Sequence, residues 1–271
     1  MNSNEALSIM NLSCGYPSHK GEVQNDIITD FSIDIYPGEI LCILGKNGIG
    51  KTTLFKTLFG SLSPISGEVS LAGKDLFSLS RRDKASLVAY VPQSHNPPFA
   101  YTAFEIVLMG RAGLISPIAV PSANDELLAE EAMQTLGIEH LATRAYTKIS
   151  GGERQMVLIA RAIAQGAKYL FLDEPAANLD FGNQMKVLRV LKDLADSGRG
   201  VVFTSHDPSH ALLLNSKVVA IRSKNEFSIG LAEEIITEEM AEGLYGIRSE
   251  IVEIFDNERG ENVRVFAPFL Q

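Results

Sequence analysis

The 271-residue sequence has no tryptophan, only two cysteines and 7% aromatic residues, and it has no excess of basic over acidic side chains. Each scarcity excludes something. Cys14 and Cys42 cannot build a disulfide framework and have no metal-type spacing, which reads as two buried thiols in a reducing, cytosolic compartment. With 33 acids against 24 bases the formal net charge is −9, so there is no global basic field to attract a polyphosphate backbone. Sequence-independent nucleic-acid binding is therefore disfavoured. No uninterrupted apolar run reaches the roughly 18 residues of a membrane span, and the first residues carry Glu5 and no hydrophobic signal-peptide core. The expectation is a chain that neither crosses a membrane nor is exported by such a signal, and that can still sit on one by docking to another protein.

What is present is the composition of a packed globular protein, 45% apolar and 21% charged, far from the corner where disorder lives. Short strand-like runs at 6–11, 27–35, 39–44 and 68–72, separated by Gly, Pro and Ser clusters, predict a strand-rich, mixed or antiparallel N-terminal layer. Continuous apolar runs at 169–172 and 201–203, spaced by a helical stretch, read as buried parallel strands, and a third at 217–221 continues the sheet. The core is thus α/β. Between about 93 and 148 helical signals take over: Thr102 with Glu105 fits a capping box, and a periodic stretch at 124–136 ends at Gly137. This region reads as a helical insertion between two halves of the sheet. The last residues mix short strand and helix patterns around 233–244, too little for an independent regulatory domain.

The chemistry is concentrated in short motifs. Gly45, Lys46, Asn47, Gly48, Ile49, Gly50, Lys51 and Thr52 match the P-loop pattern, with an apolar strand before and a helical run, 53–58, after. Glycines let backbone N–H groups turn inward around phosphate oxygens, the helix N-terminus adds its positive dipole end, Lys51 neutralises the outer phosphates and Thr52 can ligate Mg²⁺. The apolar run 169–172 ends in two adjacent acids, Asp173, suited to the metal, and Glu174, suited to polarising an attacking water. Ser150, Gly151, Gly152, Glu153, Arg154 and Gln155 open an amphipathic helix with Met156, Ile159, Ala160 and Ile163 on one face. Ser150 and Glu153 alone make a capping box. The two glycines in its first turn cost helix stability, and would let a phosphate approach bare N–H groups at a dipole end.

Taken in order, the P-loop, the 150–155 signature, the Asp173-Glu174 pair, Asn178-Leu179-Asp180 and His206 resemble the ATP-binding-cassette ATPases over nearly the whole chain. The resemblance implies a P-loop NTPase (RecA-like) core with an N-terminal antiparallel β layer and an inserted α-helical subdomain. It divides the chain into a nucleotide-binding domain at 6–246, with 93–148 inserted, and a short extension at 247–271. It implies ATP and Mg²⁺ as cofactors, Tyr16 stacking on adenine, and Thr53 beside the P-loop in nucleotide binding. Gln93 couples the site to the helical subdomain and joins Thr52 and Asp173 on Mg²⁺, Asp180 serves the inter-subunit loop, and His206 is the γ-phosphate switch. Ser150, Gly151, Gly152, Glu153 and Gln155 would contact the nucleotide of a second copy, in a head-to-tail homodimer. Ile149 and Glu153 depart from the usual Leu and Gln but keep apolar character and length. His19, His95, His140 and His210 have no motif support and are left structural.

The stretches 98–101 and 105–111, with 206–212, are similar to those of importers of iron-siderophores, haem, cobalamin and molybdate. That implies transmembrane permease partners, indirectly a substrate-binding protein, and a peripheral place on the cytoplasmic face of the inner membrane. An exporter motor, or a soluble cassette ATPase in translation or repair, stands as the alternative. A P-loop kinase does not explain the signature or His206.

Overall fold

The computed structural model describes residues 5–16, 25–46, 48–95, 97–116, 118–223, 225–257 and 260–270. In chain order the elements are β1 (Leu7–Tyr16), β2 (Asn25–Ile35), β3 (Ile40–Gly45), α1 (Lys51–Leu58), β4 (Ser66–Leu71), β5 (Lys74–Asp75), α2 (Arg81–Leu87) and β6 (Val88–Val91). Three helices follow, α3 (Ala103–Leu108), α4 (Ala123–Thr135) and α5 (Gly151–Gln165), then β7 (Tyr169–Leu172), α6 (Phe181–Asp196), β8 (Gly200–Ser205), α7 (Pro208–Leu213) and β9 (Lys217–Ser223). The chain closes with β10 (Glu226–Leu231), α8 (Ala232–Ile235), α9 (Glu238–Tyr245), β11 (Ser249–Asp256) and β12 (Glu261–Pro268). Among the described residues no helix is long and apolar enough to cross a membrane.

A four-stranded antiparallel sheet, β2-β1-β4-β5, lies beside a six-stranded sheet ordered β10-β9-β3-β8-β7-β6. The latter is parallel except for its edge strand β10. One expectation is corrected here. The run 39–44 belongs to β3 at the middle of the parallel sheet and not to the N-terminal layer, because all its residues from Ile40 to Gly45 are buried, as a strand covered on both faces must be. The period of two divides each central strand between two cores. Leu41 and Ile43, Tyr169 and Phe171, Val202, and Val219 and Ile221 face a cluster with α1 and the antiparallel sheet. Cys42, Leu170, Leu172, Val201, Phe203, Val218 and Ala220 face a second cluster that takes in the helices. Both cysteines are fully buried. Tyr169 ties the two sheets together: its hydroxyl accepts from the Leu7 N–H at 3.1 Å and lies 2.9 Å from the carbonyls of Glu5 and Ile35.

The helices between β6 and β7 start where local chemistry dictates. Thr102 and Glu105 exchange capping hydrogen bonds at α3, and Ser122 and Asp125 do the same at α4. Arg111 joins the pieces, its Nε 2.9 Å from Asp125 Oδ1 and its Nη1 donating to the carbonyls of Ala164 and Gln165 at the end of α5. The Ser122 hydroxyl, the Arg111 guanidinium and the Ser122 N–H hold the Asp125 carboxyl down to about 2. An unfolded aspartate titrates near ~3.9. The stabilising contribution of Asp125 is therefore complete above pH ~4 and is lost as pH falls through about 2. Thermal melts of wild type and Asp125→Asn should accordingly differ most near neutrality and converge at the acid limit. A gap that does not change with pH would contradict this.

At the other end β11 and β12 form a two-stranded hairpin, in register from Ser249↔Pro268 to Asp256↔Glu261. Phe266 and Ile251 anchor it to the core cluster that holds Ala211 of α7 and Leu244 of α9.

Candidate active site

The loop from β3 into α1 turns through glycines that no other residue replaces easily. Gly48 and Gly50 have φ of 82° and 109°, and a Cβ at Gly50 would come within 1.9 Å of Ile27 Cγ2. Gly50 caps α1 with no side-chain hydrogen bond, so among the described residues no side chain caps the first-turn N–H groups, and the helix end suits an anion. Lys51 is 6% exposed, and its ammonium donates to Gly45 O at 2.6 Å and Lys46 O at 3.1 Å. Burial pulls its pKa down, opposed by Glu174, Asp173 and Cys42.

At the end of β7 the chain makes a tight turn in which Glu174 takes φ of +43° and Asn178 +59°, a conformation rarely adopted by residues with a side chain and one that collects at functional sites. Thr204 on β8 organises this turn. Its hydroxyl donates to Asp173 Oδ1 and accepts from the Glu174 N–H, both at 2.8 Å. The Glu174 carboxylate, 17% exposed, is the point of convergence. Oε1 lies 3.9 Å from Lys51 Nζ, while Oε2 accepts from Gln93 Nε2 at 3.0 Å and lies 3.8 Å from His206 Nδ1. Gln93, Glu174 and His206 follow the C-terminal ends of β6, β7 and β8, and Lys51 opens the helix after β3. All lie on the edge of a parallel sheet where ligands bind.

The remaining expected residues fall into three places. Near the P-loop, Thr52 is exposed and Thr53 buried, and Tyr16 is 48% exposed at the end of β1, not a core aromatic. Asn47 and His19 lie outside the described residues. At the head of α5, Ser150 caps Glu153 and the Glu153 carboxylate returns to the Ser150 N–H, whose hydrogen bond holds its pKa down. Gly151 is open, whereas a Cβ on Gly152 would lie 2.6 Å from Asn183 Cγ, so that glycine has a packing reason as well. Gln155 is buried, and among the described residues its Nε2 has no hydrogen-bond partner. Asp180 caps α6 through Asn183. Among the described residues no hydrogen bond or ion pair joins 150–155 to Lys51, Asp173, Glu174 or His206. The apolar run 201–203 stops one residue short of Thr204, and the sequence signal for it is a hydroxyl pair, Thr204-Ser205, that closes an otherwise apolar strand and is buried.

The family described as ABC transporter matches residues 28–177. The chain belongs to the ABC transporter family. It is an ABC ATPase, which binds ATP and hydrolyses it. Relatives of this ABC ATPase include an ABC transporter ATP-binding protein of Haemophilus influenzae, 37% identical over 91% of each chain. The molybdate import ATP-binding protein MolC of the same organism is 38% identical, covering 89% of this chain and 88% of its own. The hemin import ATP-binding protein HmuV of Gloeobacter violaceus is 35% identical over 83% and 84%. Among solved structures, a metal-chelate type ABC transporter in an inward-facing conformation superposes with a TM-score of 0.84 at 35% identity over 98% of both chains.

Proposed function

We propose that this ABC ATPase is the motor of an importer, hydrolysing ATP between two copies of itself to drive uptake of a metal complex or an oxyanion through a permease. The observation that carries the hydrolytic part is the Glu174 carboxylate, held by Gln93 between Lys51 and His206. A water attacking the γ-phosphate must lose its proton, and Glu174 is placed to take it. Lys51 and the N–H groups heading α1 hold the outer phosphates, His206 contacts the γ-phosphate, and Tyr16 offers an exposed ring to the adenine.

The donors fit magnesium: a threonine hydroxyl on Thr52, the Asp173 carboxylate oriented by Thr204, and the Gln93 amide oxygen, left over because its nitrogen serves Glu174. Among the described residues no group of three His, Cys, Asp or Glu side chains is placed to hold a metal ion. When bound, Mg²⁺ neutralises charge on the phosphate oxygens.

The 150–155 helix end lies against Leu179 and Asn183, and among the described residues it makes no hydrogen bond or ion pair to Lys51, Asp173, Glu174 or His206 of its own chain. A nucleotide needing both is therefore held by the P-loop of one copy and the Ser150 end of another, with Asp180 beside that junction. The import reading rests on the relatives named for molybdate and hemin import and on the metal-chelate transporter structure. Permease helices dock in a groove between α2 and α3, formed by adjoining cavities of about 770 and 490 Å³. Arg81, Arg82, Lys84 and Arg161 surround apolar Leu108 and Met109 there. The protein would thus be peripheral, at the cytoplasmic face of the inner membrane, with a substrate-binding protein acting on the far side. The Arg81→Glu/Arg82→Glu variant, co-expressed with a permease of this importer class, should lose membrane association while keeping basal ATPase activity. Equal recovery of variant and wild type on membranes would remove the groove from the account.

A further inference from the structure

His206 is half exposed, and among the described residues its ring makes no hydrogen bond; Glu174 Oε2 at 3.8 Å is its polar neighbour. The direction of the ring is therefore set by the backbone on either side, and both flanking residues are restrained. Ser205 Oγ accepts from the Asp207 N–H at 3.0 Å, and Asp207 caps α7 by accepting from the Ser209 N–H at 2.8 Å. Both then converge on His210. Its Nδ1 is 3.0 Å from Ser205 Oγ and its Nε2 3.7 Å from Asp207 Oδ2. The Ser205 hydroxyl also donates to the Asp207 carbonyl at 3.3 Å, so the loop backbone and the imidazole share one hydroxyl.

The grouping has the order of a hydrolytic serine-histidine-aspartate set, but Ser205 is 4% and His210 7% exposed, so no substrate reaches the hydroxyl. Burial pulls the His210 pKa down, opposed by the Asp207 carboxylate. A small cavity of about 60 Å³ lies between this cluster and the Glu174 turn, lined by Glu174, His206, Asp207 and His210. From behind, α7 packs against β12 and α8.

We propose that His210 is a positioning residue for hydrolysis: by joining Ser205 to Asp207 it fixes the loop between β8 and α7 and aims His206 at Glu174. The inference rests on the roles given above to His206 and Glu174. Removing the imidazole takes away its contact with Ser205 and leaves the loop held by the Ser205–Asp207 and Asp207–Ser209 hydrogen bonds, while the P-loop, on a different connection, stays as it was. The loss belongs to the chemical step and not to nucleotide binding.

The test is a double-mutant cycle, read by single-turnover ATP hydrolysis at saturating nucleotide, with ATP Kd measured for each protein. His210→Leu should slow hydrolysis about 10-fold or more, since small misplacements of catalytic groups cost up to ~10²-fold, with Kd within about twofold. His210→Asn, whose amide oxygen can stand where Nδ1 stands, should recover most of the rate. In a His206→Ala background, His210→Leu should add no further loss. A wild-type rate for His210→Leu, or an equal loss in both backgrounds, overturns the proposal. If His206→Ala alone hydrolyses like wild type, it is the assignment of His206 that fails. Should His210→Leu not fold, Ser205→Ala runs through the same cycle with the same expected loss of additivity.

Discussion

Glu174→Gln is expected to bind ATP at least as tightly as wild type while hydrolysing it about 10²- to 10⁴-fold more slowly, the range ascribed to a positioned general base. The substitution is nearly isosteric. Its amide oxygen can still accept from Gln93 Nε2, which lies 3.0 Å from the native carboxylate, so the turn set by Thr204 need not move. What disappears is the proton acceptor, together with a negative charge 3.9 Å from Lys51 Nζ. Removing an anion from a pocket built for phosphates favours nucleotide binding, so rate and affinity should separate. Phosphate release and a nucleotide Kd, measured on the same preparation, decide the matter. Turnover close to wild type would remove Glu174 from the role of base.

Lys51→Ala is expected to fail one step earlier. Its ammonium is buried and already oriented by the carbonyls of Gly45 and Lys46, and in the proposed site it is the charged donor toward the outer phosphates. Hydrogen bonds to charged groups contribute about 1.5–3 kcal/mol, so ATP affinity should fall roughly 10- to 100-fold. The loss should be larger for ATP than for adenosine, which has no phosphate to contact the lysine. Calorimetric titration with both ligands at fixed salt tests this, and an undiminished ATP affinity would mean the phosphates bind elsewhere.

The parts of this site that were legible from sequence are those whose chemistry is local. A capping box is an i, i+3 exchange, so Thr102-Glu105 and Ser150-Glu153 could be read directly and recur in the structure. Gly48 and Gly50 announce a tight turn because positive φ favours glycine. What escaped depends on partners distant in the chain. Thr204 organises Asp173 and Glu174 across some thirty positions, and nothing near it in sequence says so. The hydroxyl of Tyr169 reaches back to Leu7 and Ile35, so that residue read only as the first member of an apolar strand. β3 was grouped with its sequence neighbours although it pairs with β8 and β9, more than 150 residues onward, because strand partners in a parallel sheet are separated by crossovers. His210 looked structural because its meaning lies in the loop it closes, not in its spacing.

A nucleotide site shared between two chains requires ATP-dependent joining of two copies. Light scattering of the purified Glu174→Gln protein, with Mg²⁺ and ATP or with Mg²⁺ and ADP, tests it directly. The mass should double with ATP and stay at 29.5 kDa with ADP. A protein that binds ATP and remains a single copy would contradict the shared site.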